Sequence, residues 1–336
     1  MSIRIKNKKT VLIIILILIL VLMEIYLRFN FDITRVIDKV LFVPNDHLGY
    51  TLKPNIEIIE EVRDGKVTVS INKNGLRGPD IDYARVEGNR RILLMGGSIP
   101  FGSGIQYENT FASKLEKKLK KYDKNIEVVN GAVPAYQFSQ QYRYYLDELY
   151  KYNPDIILLT LVLDDLIELN TTILKENVIK YDNIQKNEAK SVVLIKKSCY
   201  TCVYLYGLYL NYPEKHIQQV LKSWSDDNIY SKFEEKAIEF KKNITGNNIS
   251  LIVLIIPYNQ QFSSNLNYSR YPQERLGSLF SGMNVTVIDI IPYLDDDNYK
   301  DYYMINDKIH LNSKGFDKIE PIVFEELKKK LILYKN

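Results

Sequence analysis

The sequence is sparing with the residues from which many active sites are built: three histidines, His47, His216 and His310, and two cysteines, Cys199 and Cys202, in 336 residues. Two cysteines cannot supply a disulfide framework. They form a single Cys199-Tyr200-Thr201-Cys202 pair, without the second ligand pair that a cysteine zinc site needs. A redox CxxC opens a helix after a strand, whereas this one sits inside an aromatic, apolar stretch, 192–210, that reads as helix. A structural pair, free or disulfide-bonded, is the expectation, with a redox role as the alternative. An excess of charge of either sign is lacking too. The net charge is +4, and Arg4, Lys6, Lys8 and Lys9 stand in the first nine positions with no acid among them. The remainder is near neutral, which gives no electrostatic reason for a nucleic-acid partner. Internal repeats are absent. With 46% hydrophobic and 26% charged residues the chain is expected to fold as an ordinary globular protein, as one large α/β domain or one domain plus extras.

Long apolar runs are missing except for one. Residues 11–23 are unbroken apolar, and Ile25, Tyr26 and Leu27 extend the run past Glu24. At ~1.5 Å per residue a helix from Val11 to Leu27 spans roughly 25 Å, slightly less than a ~30 Å hydrocarbon core. Snorkelling and local thinning make up such a deficit. The basic cluster ahead of the run predicts a cytoplasmic amino terminus and a main domain outside. A cleaved signal peptide would be followed by small residues, but Met23 is followed by Glu-Ile-Tyr-Leu-Arg-Phe. The expectation is a single-pass membrane protein, with residues 1–28 as cytoplasmic tip and transmembrane anchor.

Residues 29–88 are turn-rich. Within them 56–62 and 66–71 look like paired strands around Asp64-Gly65, a hairpin signal that predicts a small β-rich neck. From 89 to 336 short apolar strands at 92–95, 126–129, 156–162, 250–256 and 285–288 alternate with helical stretches at 111–122, 139–152, 273–280 and 313–333. That alternation argues for an α/β domain whose parallel sheet is covered by helices on both faces. In such sheets the ligand site lies beyond the carboxyl ends of the strands.

Two clusters occupy those places. Gly96-Gly97-Ser98-Ile99-Pro100-Phe101-Gly102 follows the first strand, and glycines before a serine allow a tight turn that lifts the hydroxyl out of the sheet. No Gly-Lys-Ser/Thr follows, so it is not a phosphate loop. Taken alone it reads better as a glycine-rich turn with an incidental serine than as a nucleophile. Asp307-Lys308-Ile309-His310 precedes the last helix. A serine nucleophile needs a base, and the base an acceptor for its other ring nitrogen. An aspartate three residues ahead of a histidine can reach that nitrogen. His47 lies in the neck and His216 in a charged helical stretch, which leaves His310 as the candidate base. Asp295-Asp296-Asp297 reads as a solvated loop, and neither metal nor cofactor is expected.

Together these segments resemble the SGNH (GDSL-like) hydrolase superfamily, in its membrane-anchored branch. Gly96-Gly97-Ser98 with Phe101-Gly102 is similar to the first block, with Gly97 where many members have Asp. Asn130-Gly131-Ala132-Val133-Pro134-Ala135-Tyr136 resembles the second block, and Asp307-Lys308-Ile309-His310-Leu311-Asn312 with Gly315 the last. Leu48-Gly49-Tyr50, Leu52-Lys53-Pro54-Asn55, Asn74-Gly75-Leu76-Arg77 and Glu24-Ile25-Tyr26-Leu27-Arg28 resemble that branch too; 171–230 is poorly matched. The resemblance implies a three-layer, flavodoxin-like parallel sheet of the SGNH hydrolase type. It implies Ser98 as nucleophile, His310 as base and Asp307 as its orienting acid. It also implies an oxyanion hole from Ser98, Ala135 and Asp164, where the family has a glycine and an asparagine at the last two. Ala135 still offers an N–H, but an ionised Asp164 cannot donate. Asp165 matches the acid that accompanies the asparagine.

The expected function is therefore a serine-dependent esterase or acyltransferase acting on small acyl groups, acetyl above all, of an extracytoplasmic glycan or similar substrate. A membrane-bound acyl donor would be the partner of the transferase form. The departures at Ala135 and Asp164 keep a second expectation open: a catalytically weakened surface module that binds a glycan or acylated ligand.

Overall fold

The computed structural model describes residues 8–30, 41–62, 65–168, 212–262, 270–295, 297–304 and 307–333, with the isolated positions 172, 174–176, 178, 199 and 201 between them. Its centre is a five-stranded, wholly parallel sheet made of β5 (Arg90–Met95), β6 (Ile126–Asn130), β7 (Ile156–Leu161), β8 (Ser250–Ile255) and β9 (Thr286–Asp289), in the order β6-β5-β7-β8-β9. The chain steps outward one way from β5 and then returns past it to β7, the flavodoxin-like order with its switch point between β5 and β7. The register runs Ile92 opposite Val128 on one side and opposite Ile156 on the other.

Side-chain alternation divides the core into two layers. Ile92 and Leu94 of β5 point to one face, with Leu115 and Leu119 of α3 (Phe111–Tyr122) and Val323 and Leu327 of the last helix, Ser313–Leu333. Leu93 and Met95 point to the other, with Phe138 of α4 (Phe138–Asp147), Trp224 of α5 (Tyr212–Trp224), Phe240 of α6 (Asp227–Gly246) and Phe280 of α7 (Tyr271–Gly282). A strand buried on both faces has no polar position to spare, which is why β5, β7 and β8 read as continuous apolar runs. The four-residue α2 (Ser98–Phe101) and α8 (Ile291–Leu294) follow β5 and β9, and the last helix is α9 (Ser313–Leu333). The expected helix at 139–152 is divided: α4 ends at Asp147, and Leu149–Tyr152 forms a separate 3-10 turn.

Ahead of the sheet lie two hairpins, β1 (Phe42–Asn45) with β2 (Gly49–Leu52), and β3 (Ile56–Val62) with β4 (Gly65–Ile71). The second is the hairpin expected from the sequence; the first, around Asp46-His47, was legible only as a turn. Leu48, Tyr50, Leu52, Val69 and Leu76 are buried in the same apolar layer as Tyr136 and Tyr144, so this segment shares a core with the α4 face of the sheet.

The amino-terminal run forms α1 (Lys8–Asn30). Side chains from Leu12 to Leu22 are largely exposed, while Leu27 is buried. Among the described residues no helix is long and apolar enough to cross a membrane. Within α1 the described side chains are Lys9 and the stretch from Val11 to Leu27, the latter about 25 Å of helix. Most of the helix expected at 192–210 lies outside the described residues; within it Cys199 is disulfide-bonded, and Thr201 donates through its N–H (2.7 Å) and hydroxyl (2.8 Å) to Glu24.

Candidate active site

The turn after β5 lifts Ser98 out of the sheet. Gly96 has φ +151°, and a Cβ there would stand 2.6 Å from Pro100 Cγ and 2.9 Å from the Thr160 carbonyl oxygen, so only glycine fits. Ser98 is the first residue of α2, whose leading N–H groups have no intrahelical acceptor. The C-terminal end is closed by Gly102 in the left-handed region, with its N–H on the carbonyls of Ser98 and Ile99. The result is a half-buried serine at the first position of a helix, just beyond the carboxyl end of β5.

Residues 212 positions later complete the arrangement. Ser98 Oγ lies 2.6 Å from His310 Nε2, and His310 Nδ1 lies 2.8 Å from Asp307 Oδ2. The other carboxylate oxygen, Oδ1, accepts the N–H groups of Ile309 and His310, each at 2.8 Å. One aspartate thus folds the loop and orients the ring, the tautomer being set with hydrogen on Nδ1 and a free pair on Nε2. The loop is pinned from outside as well. Asn259, just past β8, donates its amide to the Asp307 carbonyl at 3.0 Å and its N–H to the Lys308 carbonyl at 2.8 Å. Asn312 accepts the N–H groups of Lys314 and Gly315, capping α9. At Gly315 a Cβ would meet the Tyr302 carbonyl oxygen at 2.4 Å.

The loop after β6 packs against the nucleophile turn. Val133 donates its N–H to Gly96 O at 3.1 Å, and Asn130 Nδ2 reaches Pro100 O at 3.1 Å, so this loop is tied to the nucleophile turn. Ala135 is exposed and has φ +62°. A left-handed alanine costs roughly 1–2 kcal/mol relative to its ordinary conformations. The chain therefore keeps the backbone shape of a glycine position with an alanine in it.

Asp164 lies in the 3-10 turn Leu163–Leu166 that follows β7. Its half-buried carboxylate sits against the hydroxyl of Tyr258, the residue that follows β8 and Ile256-Pro257. That hydroxyl is buried, and among the described residues it makes no hydrogen bond of ordinary geometry. Burial pushes the Tyr258 phenol well above its usual range, and the Asp164 charge adds to this, so Tyr258 stays a neutral donor. Asp165 is the inner acid of the turn. It accepts the Val162 N–H and the Gln141 amide, each at 2.7 Å, and burial, with Asp164 beside it, raises its pKa well above the carboxylate range.

The remaining histidines stand elsewhere. His47 is at the surface against Asp147 and Arg143, and His216 is in α5 with its side chain outside the described residues. Among the described residues no group of His, Cys, Asp or Glu is arranged to hold a metal ion; Asp296 is not one of them. Sequence reasoning passed over Asn259 and Tyr258. Their position just beyond β8 was the signal that could have marked them.

Chemically, the arrangement can take a proton from a serine hydroxyl as that oxygen attacks a carbonyl, and return it to a leaving group. No family model and no curated protein matches the sequence. Solved structures do. The chain is similar to a lipolytic protein of the G-D-S-L family from Desulfitobacterium hafniense DCB-2 (13% identity, 70% of this chain and 99% of that one, TM-score 0.39). It is similar to a lipase/acylhydrolase from Enterococcus faecalis (14% identity, 72% and 96%, TM-score 0.43). A third likeness is to a two-domain esterase active on acetylated mannans (12% identity, 72% and 50%, TM-score 0.42).

Proposed function

We propose that the chain is an SGNH-type serine hydrolase or acyltransferase that removes or transfers a small acyl group, with acetyl esters of an extracytoplasmic glycan as the substrate class. The observation that carries the chemistry is the relay in which Ser98 Oγ meets His310 Nε2 at 2.6 Å and Asp307 holds the far nitrogen at 2.8 Å. Ser98 Oγ attacks the ester carbonyl while His310 takes its proton. The carbonyl oxygen becomes an oxyanion held by the N–H groups of Ser98 and Ala135. As the C–O bond to the alcohol breaks, His310 returns the proton to the leaving oxygen, and an acyl-Ser98 ester remains. Water or an acceptor hydroxyl, deprotonated by His310, then attacks that ester and frees Ser98. Water gives an esterase; an acceptor hydroxyl gives a transferase.

The test is to label the purified protein with a serine-reactive fluorophosphonate and to assay a chromogenic acetate ester, each beside Ser98→Ala. Label and turnover that vanish with the hydroxyl support the reading. Their absence in the unaltered protein sinks it, and favours the second reading: a surface module that binds acylated or glycan ligands without turning them over. The specific ground for that reading is the carboxylate of Asp164 at the place of a hydrogen-bond donor.

Tethering to a membrane is the companion proposal, with the amino terminus cytoplasmic and the catalytic domain outside. Its support is the exposed apolar surface of α1 from Leu12 to Leu22 behind a basic cluster that would stay inside. Alkaline carbonate extraction of membranes is expected to leave the protein in the pellet. Release into the supernatant would rule out an inserted anchor.

A further inference from the structure

The loop that carries Ala135 is gripped from the hairpins that precede the sheet. Tyr50, on β2, is 6% exposed and donates its hydroxyl to the Pro134 carbonyl oxygen at 2.9 Å. Tyr136 returns a hydrogen bond from its own hydroxyl to the Tyr50 carbonyl at 2.5 Å, and the two rings pack with centroids 5.3 Å apart. Phe42 closes on the other side of Tyr50 at 4.7 Å, and Gln140 holds the Leu48 carbonyl at 2.7 Å. The residues before and after Ala135 are thus both bound to one tyrosine of β2.

The Pro134 carbonyl and the Ala135 N–H belong to the same peptide group. No peptide bond in the described chain is cis, and a trans peptide is planar with its O and H on opposite edges. A donor that fixes the oxygen therefore fixes where the hydrogen points. It also polarises the group, which makes the N–H a stronger donor. This hold matters more at Ala135 than at a glycine. A residue at φ +62° with a Cβ sits above its preferred conformations, and an exposed loop tip would otherwise relax by turning that peptide.

We infer that Tyr50 is a positioning residue of the active site: through the Pro134 carbonyl it aims the Ala135 N–H at the oxyanion. The inference rests on the function proposed above. It makes the segment before the sheet part of the catalytic apparatus rather than a spacer, a role to which the shared apolar layer of Tyr50, Leu52 and Tyr136 adds support.

Tyr50→Phe tests it, because the ring and its packing remain and only the hydroxyl is lost. Loss of a whole oxyanion donor costs ~10²–10³ in kcat, and a donor left in place but no longer aimed is expected to cost about 10-fold. The fall should be in kcat for the acetate ester, with KM and the pH dependence unchanged, and the rate of fluorophosphonate labelling should fall with it. Tyr136→Phe is the matched variant. It removes the hydrogen bond on the other side of the same ring pair, so it should lower the melting temperature comparably while lowering kcat less. Equal kcat in Tyr50→Phe and the unaltered protein, both measured well below their melting temperatures, overturns the inference. So does an equal fall in the two variants, which would mark a loss of stability alone. An unaltered protein without Ser98-dependent turnover would instead overturn the functional reading on which this one stands.

Discussion

Ser98, Asp307 and His310 come from two loops 212 positions apart and meet through hydrogen bonds of 2.6 and 2.8 Å. In the loops that follow β6 and β7, Ala135 holds a left-handed backbone and Asp164 presents a carboxylate to Tyr258. The difference reflects what each half needs. The relay needs particular side-chain atoms: a hydroxyl, a two-nitrogen ring and an acceptor, which only a few residue types provide. The hole needs donors, and a backbone N–H is a donor whatever side chain it carries. On the proposed assignment of the hole, substitution is therefore cheap at Ala135, where it costs strain, and expensive at Asp164, where an acceptor would stand in place of a donor.

The largest expected effect tests the relay. Ser98→Ala should cut ester turnover by roughly 10⁴ or more, to background, in the assay with the chromogenic acetate. Asp307→Asn should cost on the order of 10⁴ in kcat by favouring the wrong tautomer of His310, with the protein still folded by circular dichroism. A mild loss in either variant would mean that the relay is not the strong half.

Asp164→Asn tests the other half and should move the opposite way. A carboxylate ~4 Å from an oxyanion opposes it by about 4 kcal/mol at an effective dielectric near 20, so restoring an amide should raise kcat by about 10-fold or more. An unchanged rate would show that the hole is already complete without this residue. Asp165 gives a pH test of the same turn. Its folded pKa is raised by burial, so the folded state keeps a proton that the unfolded state has released, and stability falls as pH rises from the usual carboxylate range through the raised value. Asp165→Asn has no such slope. Its urea midpoint should therefore gain on that of the unaltered protein as pH rises above the usual carboxylate range. The smallest effect belongs to Ala135→Gly. Relief of ~1–2 kcal/mol of left-handed strain is offset by ~0.4–1 kcal/mol of added unfolded-state entropy, so the melting temperature should rise by a few degrees at most.

Much of the fold was legible. The five strands and the last helix announce themselves because β5, β7 and β8 are buried on both faces and α9 on one, and burial writes hydrophobic period into sequence. The β1–β2 hairpin was not legible beyond its turn, because four-residue strands with a proline in one carry too little pattern. In the site, Ser98, Asp307 and His310 could be named from spacing and position, since few histidines compete. Position just beyond β8 could have marked Asn259 and Tyr258 as near the site, but not what they touch, and nothing local marks Tyr50: their partners Asp307, Asp164 and Pro134 are remote in sequence.

By itself the sequence determined what chemistry is on offer: a serine after a glycine turn, an aspartate three residues from a histidine, and an aspartate where a donor is expected. Only the tertiary structure decided whether those groups meet. The 2.6 Å approach of Ser98 to His310 and the orientation of the Ala135 peptide under Tyr50 arise when strands and hairpins distant in the chain share one core. Side-chain identity is local information, whereas a direction in space is fixed only by the packing around it.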